Sequence, residues 1–265
     1  TGIVVGGIAF AAFVYSPLMH DLIDRYGIST SMLIIGIGVL VLMILLAQLM
    51  TNPPAGYDNG DKGGAQATSA INYRVRETVK SLEFYKIWFM LGLSSTAGLM
   101  IIGHVAGIAK TQAGWEAGFL LVILLAVFNV LGRILGGYLS DKVGRVRYLR
   151  IVFIIQAVNM VLFRFYGSVP LLCVGAGVAG LCYGSVFSVF PATTADYFGL
   201  ENFGANYGVV FTAWGFGGIV GPMTAAAVFD AVSNYNLAYV FACALLLIAF
   251  GISFTLKRPK QIKEV

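Results

Sequence analysis

Arg133 sits in an otherwise apolar stretch, one helical turn after Asn129 and eight residues before Asp141. A cation at the centre of a membrane helix costs about 2.5–3.5 kcal/mol on insertion scales, so it is kept where it faces a cavity, a partner or an anionic ligand. Since no Asp or Glu falls in the core of any apolar stretch, a small organic anion is the expected ligand. A guanidinium fork can hold a carboxylate through two charge-assisted hydrogen bonds. Asn129, on the same helical face, would orient a hydroxyl or carbonyl of that ligand. Of the two histidines, only His104 lies well inside an apolar stretch. It is either a ligand or proton-handling group, able to carry a proton, or a satisfied core histidine. Tyr183 and Phe187, four residues apart, can line a cavity or simply pack.

The elements that carry these groups follow from composition. Of 265 residues, 58% are hydrophobic and 11% charged, against about 25% charged in soluble domains. The chain therefore reads as an all-α polytopic membrane protein embedded in a lipid bilayer. Stretches of about 20 apolar residues, enough to span it, lie at 2–19, 30–50, 86–109, 116–139, 148–166, 169–190, 206–229 and 236–256, which predicts eight helices. Between the second and third, residues 51–85 open Thr-Asn-Pro-Pro-Ala-Gly-Tyr-Asp-Asn-Gly-Asp, whose prolines and glycines stop a helix. This segment reads as a linker closing in a short interfacial helix with Thr78 as N-cap, and it divides the chain into 1–50, 51–85 and 86–265. Counting Lys86 at the linker's edge, thirteen of the seventeen Lys and Arg residues lie in the linker, the 142–150 turn or the C-terminal tail. By the positive-inside rule the linker and both termini face the cytoplasm, with the plasma or inner membrane as the expected location.

The same pass excludes other classes. The net charge of +5 is accounted for by topology, so no nucleic-acid partner is expected. Cys173, Cys182 and Cys243 all fall in apolar stretches without metal-ligand spacing, and neither a disulfide nor a metal site is expected. Gly175-Ala-Gly-Val-Ala-Gly180 matches a dinucleotide-binding spacing but lies within a continuous apolar stretch, with no strand before it. No phosphate-binding loop, nucleophile–base pair or cofactor motif is present, so the chain is not expected to be an enzyme. Glycine pairs four apart, at Gly2/Gly6, Gly132/Gly136, Gly180/Gly184 and Gly217/Gly221, predict close helix–helix contacts.

The basic turn Gly-Tyr-Leu-Ser-Asp-Lys-Val-Gly-Arg (137–145) resembles the loop motif of the major facilitator superfamily. Asn-Pro-Pro-Ala-Gly-Tyr (52–57), Glu-Phe-Tyr-Lys-Ile-Trp (83–88), Phe128-Asn129 with Arg133, Phe-Pro-Ala-Thr-Thr-Ala-Asp-Tyr-Phe-Gly (190–199) and Asn-Tyr-Gly (206–208) resemble its oxalate/formate antiporter family, which is related to the monocarboxylate transporters. The resemblance implies twelve helices in two parallel six-helix bundles. Gly2-Ile-Val-Val with Pro17 echoes Gly208-Val-Val-Phe with Pro222, so the chain is expected to be N-terminally truncated, carrying helices 5 to 12 and lacking helices 1 to 4. It also implies secondary transport of a small monocarboxylate by alternating access, with oxalate/formate exchange or a non-transporting sensor as alternatives. Arg133 matches the family's substrate arginine, and Tyr183 and Phe187 match aromatic positions lining its cavity. Trp214 occupies the position of a substrate-binding lysine, which points away from dicarboxylates. Asp141, Arg145 and Asp196 resemble the charge cluster that latches the cytoplasmic side.

Overall fold

Inside a bilayer only internal hydrogen bonding satisfies the backbone, so apolar stretches of this length become helices. The computed structural model describes residues 2–49 and 72–257, with side-chain surroundings from residue 15 onward except at 16. The helices are α1 (Gly2–Gln48), α2 (Val75–Lys80), α3 (Leu82–Ile102), α4 (Val105–Ala113), α5 (Phe119–Val143), α6 (Arg145–Phe163), α7 (Val169–Phe198), α8 (Phe203–Val232) and α9 (Asn236–Ser253). Among the described residues, seven stretches are long and apolar enough to cross a membrane: Pro17–Gln48 of α1, and α3, α5, α6, α7, α8 and α9. The chain divides into two compact units, Val14–Thr68, and Thr1–Phe13 together with Ser69–Val265.

Several boundaries differ from those expected. Thr78 caps nothing: it lies inside α2, fully buried, and its hydroxyl donates to Asn206 Oδ1 at 3.0 Å. Ser81 is the residue that breaks the chain there, its Oγ accepting from Phe84 N at 3.2 Å to start α3 at Leu82 rather than at residue 86. The expected 86–109 span is interrupted at Gly103 and His104, where His104 adopts φ −124°, ψ 3°, and α4 begins afresh. The most linker-like part of 51–85, residues 51–71, lies outside the described residues, as does the tail from 258 on.

In the Val14–Thr68 unit, the expected loop at 20–29 is largely helical. His20 with Asp24 (3.2 Å) and Arg25 with Asp21 (2.9 Å) form pairs four residues apart along that stretch. The helical run changes direction at Gly27, whose φ of 74° suits a residue without Cβ, and Ser31 Oγ donates to Gly27 O at 2.7 Å.

The larger unit is organised by two interlocked helix pairs, α5 with α7 and α3 with α8, and by α6 packed on α9. In the first pair the predicted glycines interdigitate. A Cβ on Gly132 would strike the Leu181 backbone, one on Gly180 the Leu125 carbonyl, and one on Gly184 the Asn129 carbonyl. In the second pair Gly217 and Gly221 abut Ser95, Thr96 and Met100 of α3. The Gly2/Gly6 pair lies where side-chain surroundings are not described. The dinucleotide-like glycines are packing positions too, Gly175 against Tyr166 and Gly177 against Phe128. Phe153, Phe163, Phe190, Phe198 and Tyr239 are fully buried in the core of the unit.

One end of this unit collects the basic segments. Tyr73 N donates to Phe198 O (2.9 Å), Lys86 Nζ to Thr255 O (2.8 Å), and Arg150 Nη2 to Ser253 O (2.9 Å). The start of α3, the α5–α6 turn, the α7–α8 turn and the end of α9 therefore share a side. Lys86 and Arg150 satisfy carbonyls at the end of α9 that the helix itself leaves unpaired, where cations also complement its dipole.

Candidate functional site

The close approach of α5 and α7 builds the site. Because Gly180 and Gly184 carry no side chain, the α7 backbone meets α5 at Leu125 and Asn129, and this draws Tyr183 and Phe187 up to Asn129 and Arg133. Arg133 lies near the middle of α5, 4% exposed. Its Nε donates to Asn129 Oδ1 at 2.9 Å, and its Cζ stands 4.8 Å from the centre of the Phe187 ring. The amide fixes the plane of the guanidinium, and the ring face is electrostatically compatible with the cation. Asn129 is neutral, so the pair keeps a formal charge of +1 where an aspartate–arginine pair would cancel.

Aromatic side chains complete one wall. Trp214 on α8 donates its Nε1–H to Tyr183 Oη at 2.7 Å. Phe187 contacts Tyr183 at 5.0 Å and stands nearly perpendicular to Trp214 at 6.1 Å between ring centres. Phe211, not singled out from sequence, stacks on Trp214 at 5.2 Å and meets Phe187 at 5.9 Å. Tyr207 and Phe203 extend the row from Phe211 at 5.4 and 5.6 Å. Their spacing of four residues, 203, 207 and 211, was the available signal, since it sets three rings on one helical face. The structure thus brings Arg133, Asn129, Tyr183, Phe187 and Trp214 into one network of contacts. Chemically, that network offers a fixed cation, an amide and apolar faces: a binding surface for a small anion with an apolar body.

His104 belongs to a different group. At the break between α3 and α4 its Nδ1 is 3.3 Å from Met100 O, and its ring lies 5.7 Å from Tyr235, which stacks on Phe229 at 4.8 Å. Those contacts lie with the α8–α9 connection.

The three residues expected at the cytoplasmic latch do meet. Arg145, at the start of α6, pairs through Nη1 with Asp141 and through Nε with Asp196 Oδ2 at 3.3 Å. Its Nη1 also donates to Ser140 Oγ at 3.0 Å, a buried partner that sequence reading missed. Gly144 makes this possible: with φ 96° it turns the chain between α5 and α6 within one residue.

Sequence comparison now bears on this geometry. The chain matches the Major Facilitator Superfamily over residues 1–158 and again over 87–265, and it belongs to that family. With seven apolar helices among its described residues, it is an integral membrane protein. It is 26% identical over 221 residues to the uncharacterized MFS-type transporter YhjX of Escherichia coli (strain K12), covering 81% of this chain and 53% of that protein. To the oxalate:formate antiporter of Oxalobacter formigenes it is 24% identical over 262 residues, covering 96% of this chain and 60% of the relative. To monocarboxylate transporter 13 of Rattus norvegicus it is 26% identical over 263 residues, covering 96% and 58%. The chain thus spans little more than half the length of these relatives.

Proposed function

We propose that this chain supplies the cargo-binding half of a secondary transporter for small monocarboxylates of lactate, pyruvate or formate type, moved by alternating access. The observation that carries the reading is the buried Arg133, its fork fixed by the neutral Asn129 and its face covered by Phe187 beside the Trp214–Tyr183 pair. Arg133 takes the carboxylate, Asn129 orients a hydroxyl or carbonyl, and Tyr183, Phe187 and Trp214 enclose the apolar body. Residues 1–50 then form the last two helices of an N-terminal bundle, 51–85 a cytoplasmic linker and 86–265 the C-terminal bundle. Asp141, Arg145 and Asp196 latch the cytoplasmic side, and His104 is a site for a coupled proton, because Asn129 cannot titrate.

The test is uptake by the full-length transporter in proteoliposomes. Arg133→Ala should abolish saturable carboxylate uptake. Arg133→Lys should reduce affinity by roughly tenfold to a hundredfold, since charged hydrogen bonds contribute about 1.5–3 kcal/mol and a point charge cannot reproduce the fork. Normal uptake by the alanine variant removes the anchor role. Exchange of oxalate for formate is the second reading, favoured by the likeness to the oxalate:formate antiporter along 96% of the chain. Against it stands Trp214, which brings no second cation, and an uncompensated buried carboxylate costs several kcal/mol. Lactate should therefore compete for uptake far better than oxalate; the reverse order would establish the exchange reading.

A further inference from the structure

Buried polar side chains in the larger unit mostly find partners. Asn159 Nδ2 donates to Gly175 O at 3.0 Å and Asn159 Oδ1 accepts from Tyr166 at 3.3 Å. Asn206 uses both ends of its amide, and Tyr148 shares a hydrogen bond with Ser185 at 3.1 Å. Gln156 on α6 departs from this pattern. It is 4% exposed, yet among the described residues neither its Oε1 nor its Nε2 has a hydrogen-bond partner. Unpaired buried amides are few in native interiors because each forfeits its hydration without return.

Gln156 lines a cavity between α3, α6, α7 and α9, whose walls include Ser94, Gly98, Cys182, Tyr183 and Leu246. The cavity has room for about one water molecule. Its polar lining specifies the ligand further. Gln156 offers one donor group and one acceptor. The single Ser94 Oγ–H is taken up by Met90 O and Leu91 O, at 2.8 and 3.1 Å, so the hydroxyl has lone pairs rather than a proton to offer. A molecule satisfying all three must accept once, donate twice and fit the volume of a single heavy atom. An ammonium ion cannot accept, a metal cation cannot donate, and an alcohol donates once.

We infer that the Gln156 cavity is a binding site for one water molecule, which bridges the Gln156 amide to Ser94 Oγ and ties α6 to α3. Tyr183 is a wall of this cavity and also the acceptor of the Trp214 indole, so the water lies one side chain away from the Arg133 cluster. The inference concerns packing and hydration and does not depend on which cargo Arg133 binds.

High-resolution density of the full-length protein in lipid, with thermal unfolding of variants, tests it. One ordered water between Gln156 and Ser94 is expected, absent from Gln156→Met. Gln156→Met and Ser94→Ala should each lower the melting temperature by a few degrees, and the double variant should fall short of their sum, because both remove the same bridge. A cavity without density, or one filled by a larger molecule, overturns the inference. So does a melting temperature that rises in Gln156→Met, the result expected when an unpaired amide is simply replaced by an apolar isostere. The density of the unsubstituted protein decides the matter even where a variant does not fold.

Discussion

An arginine beside an asparagine makes a different electrostatic site from an arginine beside an aspartate, and here the difference is a single atom on residue 129. The amide orients the guanidinium through the 2.9 Å contact without cancelling its charge. Asn129→Asp should keep that contact and remove the net positive charge, lowering affinity for an anion by at least about tenfold near neutral pH. The sign of its pH dependence follows: protonating the new carboxyl restores the charge, so affinity should recover as pH falls, while the unsubstituted site lacks this recovery. Anion-induced thermal stabilisation at several pH values measures it, and equal stabilisation of the two proteins at neutral pH would show that the charge of the pair is not what the anion reads. Much of this cluster was legible in the sequence. Arg133 announced itself as a cation in an apolar run, and Asn129 and Phe187 lie one helical turn from Arg133 and Tyr183. Phe211 was not found because the spacing of 203, 207 and 211 shows that three rings share a helical face but not whether that face meets Trp214 or lipid.

Helices were legible wherever burial sets their length, and less so where a local backbone preference ends them. The spans from α5 to α9 fall where apolar length placed them, but the Gly103–His104 break and the Ser81 stop depend on single residues inside otherwise suitable stretches. At 20–29, pairs four residues apart, His20 with Asp24 and Asp21 with Arg25, accompany helix where polarity alone reads as loop. The glycine pairs were the most informative element-level signal, because spacing by four puts both small residues on one face. Adjacent residues provide a sharp check. A Cβ on Gly136 would come within 2.7 Å of Ser188 Oγ and 2.8 Å of Ser185 Cα, whereas one on Gly137 would meet nothing within 4 Å. Gly136→Ala should therefore cost about 1–3 kcal/mol through overpacking. Gly137→Ala should be neutral or slightly stabilising, since alanine is the better helix former. Thermal unfolding of the two variants in lipid reads the contrast, and equal stability would mean that α5 and α7 are held apart further than this interlock requires.

At the scale of the whole molecule, orientation rests on charge and hydrogen bonding pointing the same way. Sequence put the basic residues in separate segments, and the structure joins the segments of the larger unit: the contacts of Lys86, Arg150 and Arg145 with Thr255, Ser253 and Asp196 set their flanking turns on one side of it. Of these contacts, the partly exposed ion pair of Arg145 with Asp196 contributes about 0–1 kcal/mol, little enough to break and re-form. Sequence alone could not show this convergence, because residues such as Arg150 and Ser253 are far apart along the chain. The opposite end carries Lys110 and Glu116, paired at 3.2 Å and both exposed. Positive-inside bias then predicts which end meets the cytoplasm. Single cysteines at exposed positions can report it, Lys142→Cys for the basic end and Glu116→Cys for the other, in a background where Cys173, Cys182 and Cys243, all within apolar helices, are replaced by serine or alanine. In intact cells a membrane-impermeant thiol reagent should label Glu116→Cys and spare Lys142→Cys until the membrane is opened. The inverse pattern would place the Arg145 cluster on the outer side of the membrane and overturn this orientation.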